Sequence, residues 1–203
     1  MHQHSSSRGI AEMRRRVALE AARLMSEQGI RDFHLAKRKA AERLHANDKT
    51  HLPNNAEIEE ALREHQRLFQ SEEQPQTLRR LREEAREAMK FFKDFEPRLV
   101  GAVLEGTADR HSAICLHLFC DAPEHVMILL DENRIEYEEQ DRRLKFARDE
   151  IQEFPALIVP RDDLRIDLTL LPPEAIRRAP LDRVDDRPMK RATLSGVEDL
   201  LKE

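Results

Sequence analysis

Apolar residues recur at helical spacing through the first hundred residues and then change period. Ile10, Met13, Val17, Ala21, Leu24 and Met25 stand three or four apart, which predicts a helix over 11–28, and Gly29 stands where a left-handed cap would end it. A second helix is predicted over 33–44, after a turn through Ile30 to Asp32. Asn54, with acidic Glu57 three positions on, matches an N-cap and opens a helix to about Phe69, with Ile58, Leu62, His65 and Phe69 on one face. Ser71 to Gln76 read as a polar link. Thr77 is then expected to cap a longer helix from Leu78 to Phe95, striped by Leu78, Leu81, Ala85, Met89 and Phe92 and stopped by Pro97.

From Val100 the pattern is that of strands. An apolar strand, a turn bracketed by Gly101 and Gly106, and a second apolar strand ending at Phe119 follow one another. Two of the chain's five glycines fall here, where backbone must turn tightly or be approached closely. Asp121 to Pro123 open a short helix to about Asn133. Residues 135–138 and 142–146 are short strand candidates, joined through Gln140 and Asp141; residues 154–159 and 164–171 form a clearer pair. In the last strand the alternation places Asp167 on one face and Ile166, Leu168 and Leu170 on the other. The tail 172–187 is rich in Pro and charge and is expected to wrap the surface, and Ser195 to Glu198 read as a capping box. Helices followed by mixed strands predict an α+β protein with an N-terminal helical region, 8–96, and an α/β domain with a C-terminal wrap, 97–203.

Composition narrows the classes. Charged residues make up 37% and aromatics 4%, which suits charged helices with Leu, Ala and Met stripes and not an all-β sandwich. Residues 8–49 carry eleven basic and six acidic side chains, so against a net charge of −5 the remainder carries −10. A positive front end on an acidic body makes nucleic acid or an acidic protein a possible partner for the basic N-terminal helices. Cys115 and Cys120, five apart, would stand about 16 Å apart on an extended segment, too far for a disulfide. A reducing, cytoplasmic setting is the expectation. No apolar run reaches the length of a membrane span, and Met1 to Ser7 read as a loose polar start whose His2 and His4 do not suggest a metal site.

Gly101, then Gly106-Thr107-Ala108, then Ser112-Ala113-Ile114-Cys115-Leu116 resemble, in order and spacing, the signature of the nucleotidyltransferase superfamily with the DNA polymerase beta-like fold. The resemblance covers about 98–171 and implies a mixed sheet with packed helices. It assigns nucleotide contacts to Gly101, Gly106, Thr107 and Ser112. In that family two aspartates of an Asp-x-Asp pair and a third from a later strand hold two divalent metals. Here the pair is Ala113 and Cys115, and only Asp167 remains; Ala102 replaces the serine that follows the first glycine. Alanine offers no lone pair and a thiol is a soft ligand for a hard ion, so magnesium is not expected at the usual site and no catalytic set is complete. The cofactor, if any, is open.

Three functional expectations follow. The first is a degenerate nucleotidyltransferase-like protein that binds a nucleotide, a nucleic acid or a protein. The second keeps enzyme activity through a non-standard metal site, with Asp167 joined by Glu105 or Asp109, or a softer metal at Cys115 and His117 within the run His111, Cys115, His117, Cys120, Asp121 and His125. Arg98, Arg110 and Arg165 are candidates to line the mouth with positive charge. The third makes the N-terminal helices a DNA-binding regulator, because Ala21 to Ile30 resemble the opening of a tetracycline-repressor-type domain; a polar loop, 45–53, stands where that family has its tight turn and recognition helix.

Overall fold

A computed structural model describes residues 3–46, 48–69 and 73–202 of the 203-residue chain. It divides into two compact units, residues 1–74 with 183–185, and residues 75–182 with 186–203. The division expected at 96/97 falls instead near 74, because the long fourth helix packs its apolar stripe into the core of the sheet.

The first unit contains α1 (Gln3–Gln28), α2 (Phe33–Arg43) and α3 (Asn55–Phe69). Its core joins Val17, Ala21, Leu24 and Met25 of α1 to Ala36 and Ala40 of α2 and Ile58 and Leu62 of α3. Gly29 has φ +67° and ends α1 as expected. Asn54 and Glu57 form a reciprocal capping box: Glu57 N–H donates to Asn54 Oδ1 at 2.8 Å, and Asn54 N–H to Glu57 Oε2 at 2.6 Å. Glu20 on α1 accepts hydrogen bonds from Arg23 and from Arg43 of α2, which hold its carboxyl below the usual range. Two expectations change. Gln3 to Ser7, read as a loose start, continue α1, while Met1 and His2 lie outside the described residues. A single 3-10 turn, Lys49–His51, capped by Asp48, occupies the polar loop.

The second unit opens on α4 (Glu73–Phe91). Its start precedes Thr77 because Pro75 sits in the first turn, where a missing N–H costs nothing; Ser71 and Glu72 of the expected link lie outside the described residues. Then follow β1 (Arg98–Val100), α5 (Ala102–Glu105), β2 (Ile114–Phe119), α6 (Glu124–Glu132), β3 (Glu138–Ala147), β4 (Glu150–Arg161), β5 (Leu164–Leu171) and α7 (Leu194–Leu200). The five strands form one mixed sheet in the order β1-β2-β5-β4-β3, with β2 parallel to β5 and the other pairs antiparallel. Alternation decides its faces. Leu99, Ile114, Leu116, Leu118, Leu157, Ile166, Leu168 and Leu170 point to one side, where Leu81, Ala85 and Met89 of α4, Val126 and Leu130 of α6 and Val197 of α7 meet them. Each fully buried leucine contributes about 2 kcal/mol.

Two local expectations are corrected here and a third is made specific. The two short strands expected at 135–138 and 142–146 are one continuous strand, since β4 pairs with residues 138–147 throughout and overrides the weak strand preference of Gln140 and Asp141. Residues 102–105, inside the turn expected between Gly101 and Gly106, form a single helical turn. Thr193, not Ser195, caps the last helix, its Oγ1 accepting from Gly196 N–H at 3.2 Å.

Candidate functional site

β1 and β2 are joined through Gly101, α5 and Gly106. Gly101 has φ +73° and Gly106 φ +82°, both in the region that L side chains avoid, and they let the chain leave a strand, make one helical turn and leave it again. A Cβ on Gly101 would stand 3.9 Å from Cys115 Cβ, so this turn lies directly against β2. The loop that follows is closed on itself. Asp109 N–H donates to Ser112 Oγ at 2.9 Å, and Asp109 Oδ1 accepts from His111 N–H at 2.9 Å and from the Ser112 hydroxyl at 3.3 Å. Thr107, Asp109 and Ser112 are all buried. Ser112 therefore organises the loop with its hydroxyl, and Asp109, expected as a turn residue or a metal ligand, is an internal acceptor of that loop.

On the side of the sheet away from the helices, Cys115 pairs in register with Asp167, and Val100 with Cys115. One pleat further along, His117 pairs with Thr169 and Arg98 with His117. The first pair thus brings Asp167 directly beside Cys115. Ala113 precedes β2 on the same alternation. Asp167 is engaged: Arg142 of β3 hydrogen-bonds its Oδ2 through Nη2, with side-chain exposures of 27% and 15%. His117 is 3% exposed, its Nδ1 is buried without a partner, and burial followed by the charges of Arg191 and Arg142 lowers its pKa to about 3.

The run of potential soft-metal ligands is split by strand alternation and by the end of β2. Cys115 and His117 lie on the face just described, Cys120 is buried in the core on the helix side, and His111, Asp121 and His125 are exposed. Glu105 accepts from Lys190 Nζ at 2.9 Å. Among the described residues no three of His, Cys, Asp and Glu gather as a metal ion would require. The donor set at Asp167 does not fit magnesium: its neighbours in register offer carbon and sulfur, and its own oxygen is held by a guanidinium.

Of the arginines proposed for the mouth, Arg98 and Arg165 alternate onto the face, Arg98 with its Nη1 donating to the Glu96 and Pro97 carbonyls at 2.9 and 3.0 Å, and Arg110 and Arg165 are exposed. Sequence reasoning missed Arg142 and Arg191. Arg142 reaches Asp167 through the β3–β4–β5 register. Arg191 lies in a Pro- and charge-rich tail without strand pattern, and a single bridge, Ala192 to Leu99, turns it onto this face. In the helical unit, Arg14, His34, Lys37 and Arg38 line a groove of about 650 Å³. Burial lowers the pKa of Lys37 there.

No family model, curated protein or solved structure matches the chain.

Proposed function

We propose that this chain is a nucleotidyltransferase-like protein without metal-dependent nucleotidyl transfer, which acts by binding a nucleotide, a nucleic acid or a protein partner. The observation that carries the reading is the pairing of Cys115 with Asp167 in parallel strands, with Arg142 bonded to that aspartate. Two-metal transfer needs several oxygen ligands converging on one face. Here Asp167 has a thiol beside it in register, and a bound cation would have to displace Arg142 first. Shape and glycine turn serve binding without those metals.

The test is incubation of the full chain with labelled nucleoside triphosphates and magnesium, manganese or zinc. Nucleotide retained by the protein with no label transferred is the expected result. Label transfer that disappears in Asp167→Ala would overturn the reading in favour of a non-standard active site. The basic groove of the helical unit supports a second reading, contact with an anionic partner there. Replacing Arg14, Lys37 and Arg38 together then weakens nucleic-acid binding at low salt, and absence of any binding at low salt ends that reading.

A further inference from the structure

The sheet face away from the helices carries more positive charge than its carboxylates neutralise. Arg98 of β1, Arg142 of β3, Arg165 of β5 and Arg191, one residue before the bridge to β1, alternate onto one side with Asp167 and Glu138, and His117 stands among them as a neutral imidazole. Asp167 is taken by Arg142, and Glu96 reaches Arg98 at 3.3 Å with its own side chain largely in solvent. Arg191 has no carboxylate at all among the described residues. Its Nη1 donates to the Ala175 carbonyl at 2.8 Å and its guanidinium lies 5.3 Å from the centre of the Phe119 ring. Nε and Nη2 are buried and have no hydrogen-bond partner.

Those two nitrogens are one edge of the guanidinium, the pair that binds two oxygens of a phosphate or carboxylate side by side. Two buried guanidinium donors without partners are costly, and a ligand that accepts from both removes that cost. The charge that acts on Arg191 is that of Arg98. Burial and then the Arg98 charge lower the pKa of Arg191 to about 10, and His117 is driven down beside it.

We propose that this face binds a phosphate group directly on Arg191 and Arg98, with no metal ion between protein and ligand. The inference rests on the reading of this face as a binding face. Where the superfamily uses acids to hold metals and metals to hold phosphate, this chain supplies the cations from its own side chains. To reach the Nε–Nη2 edge, the ligand draws the guanidinium off Phe119 and away from the Ala175 carbonyl, a change of side-chain rotamer that exchanges one hydrogen bond for two charge-assisted ones.

The experiment is calorimetric titration of the full chain with sodium pyrophosphate in EDTA at low salt, followed by competition with ATP with and without magnesium. Pyrophosphate is expected to bind the wild type, and at least tenfold more weakly to Arg191→Met and to Arg98→Gln, while Arg143→Gln, an exposed arginine that alternation turns to the opposite side of β3 from Arg142, binds as the wild type does. Arg191→Met without ligand is expected to melt no lower than wild type, since an idle buried charge is removed. Should Arg191→Met fail to fold, Arg191→Lys, which keeps the charge and loses the fork, takes its place with the same tenfold criterion. No binding by wild type, or binding indifferent to both Arg191 and Arg98, overturns the proposal. Pyrophosphate that binds through Arg191 while no nucleoside triphosphate competes sustains the anion site and defeats the nucleotide reading. ATP that binds only with magnesium and ignores Arg191 overturns the site and leaves the nucleotide reading standing.

Discussion

His117 is 3% exposed and its pKa lies near 3, because burial and two neighbouring arginines disfavour the imidazolium. The unfolded chain takes up a proton near pH 6.5 and the folded one resists until about 3, so between those values the unfolded state holds more protons and stability falls as pH falls. Each unit of acidification in that window removes roughly 1 kcal/mol. Urea unfolding at a series of pH values is expected to show this slope in the wild type and a flatter one, by about that amount, in His117→Leu. Parallel slopes would mean that His117 charges freely in the fold. The residue was legible as a member of the Cys115 face from alternation alone. Its acidic pKa was not, because Arg142 and Arg191, the charges that help to set it, come from a strand and a tail remote in the chain.

At the scale of elements, the connection between β1 and β2 turns on Gly101. Nothing is nearer than 3.9 Å to a Cβ placed there, so the cost of Gly101→Ala is conformational, about 1–3 kcal/mol for a side chain at φ +73°. Thermal unfolding is expected to shift down accordingly, with loss of protection in the amides of 102–108; an unchanged melting temperature would mean the turn relaxes without strain. The glycine spacing pointed to this turn. The helical turn α5 inside it was missed, since Ala102-Val103-Leu104 are as apolar as a strand and only the left-handed glycines at either end separate the two. β3 shows the reverse. Its polar centre argued for a break, and pairing with residues 150–158 of β4 carried it through, with Glu138, Glu139, Asp141 and Arg143 exposed on an edge strand.

At the scale of the whole molecule, each of the two compact units has its own core, one built around Leu24 and Ile58 and the other around Leu116 and Leu168, with a smaller cluster at Phe119, Leu171 and Ala175 in the sheet unit. Leu24→Ala is expected to cost about 2–5 kcal/mol within the helical unit. Hydrogen exchange should report it as faster exchange in 11–28 and 55–69 with unchanged protection in β2 and β5, and uniform loss across both units would refute two independent cores. Periodicity in the chain by itself determined the α+β class, the three N-terminal helices, the Asn54–Glu57 cap, the β4–β5 pair and the side of β5 on which Asp167 stands, because each depends on residues within a few positions of one another. Tertiary structure alone decided that Arg142 bonds Asp167 and that Arg191 reaches the same face. Those outcomes depend on strand register and on a bridge between residues 99 and 192, contacts between distant segments that no local pattern encodes.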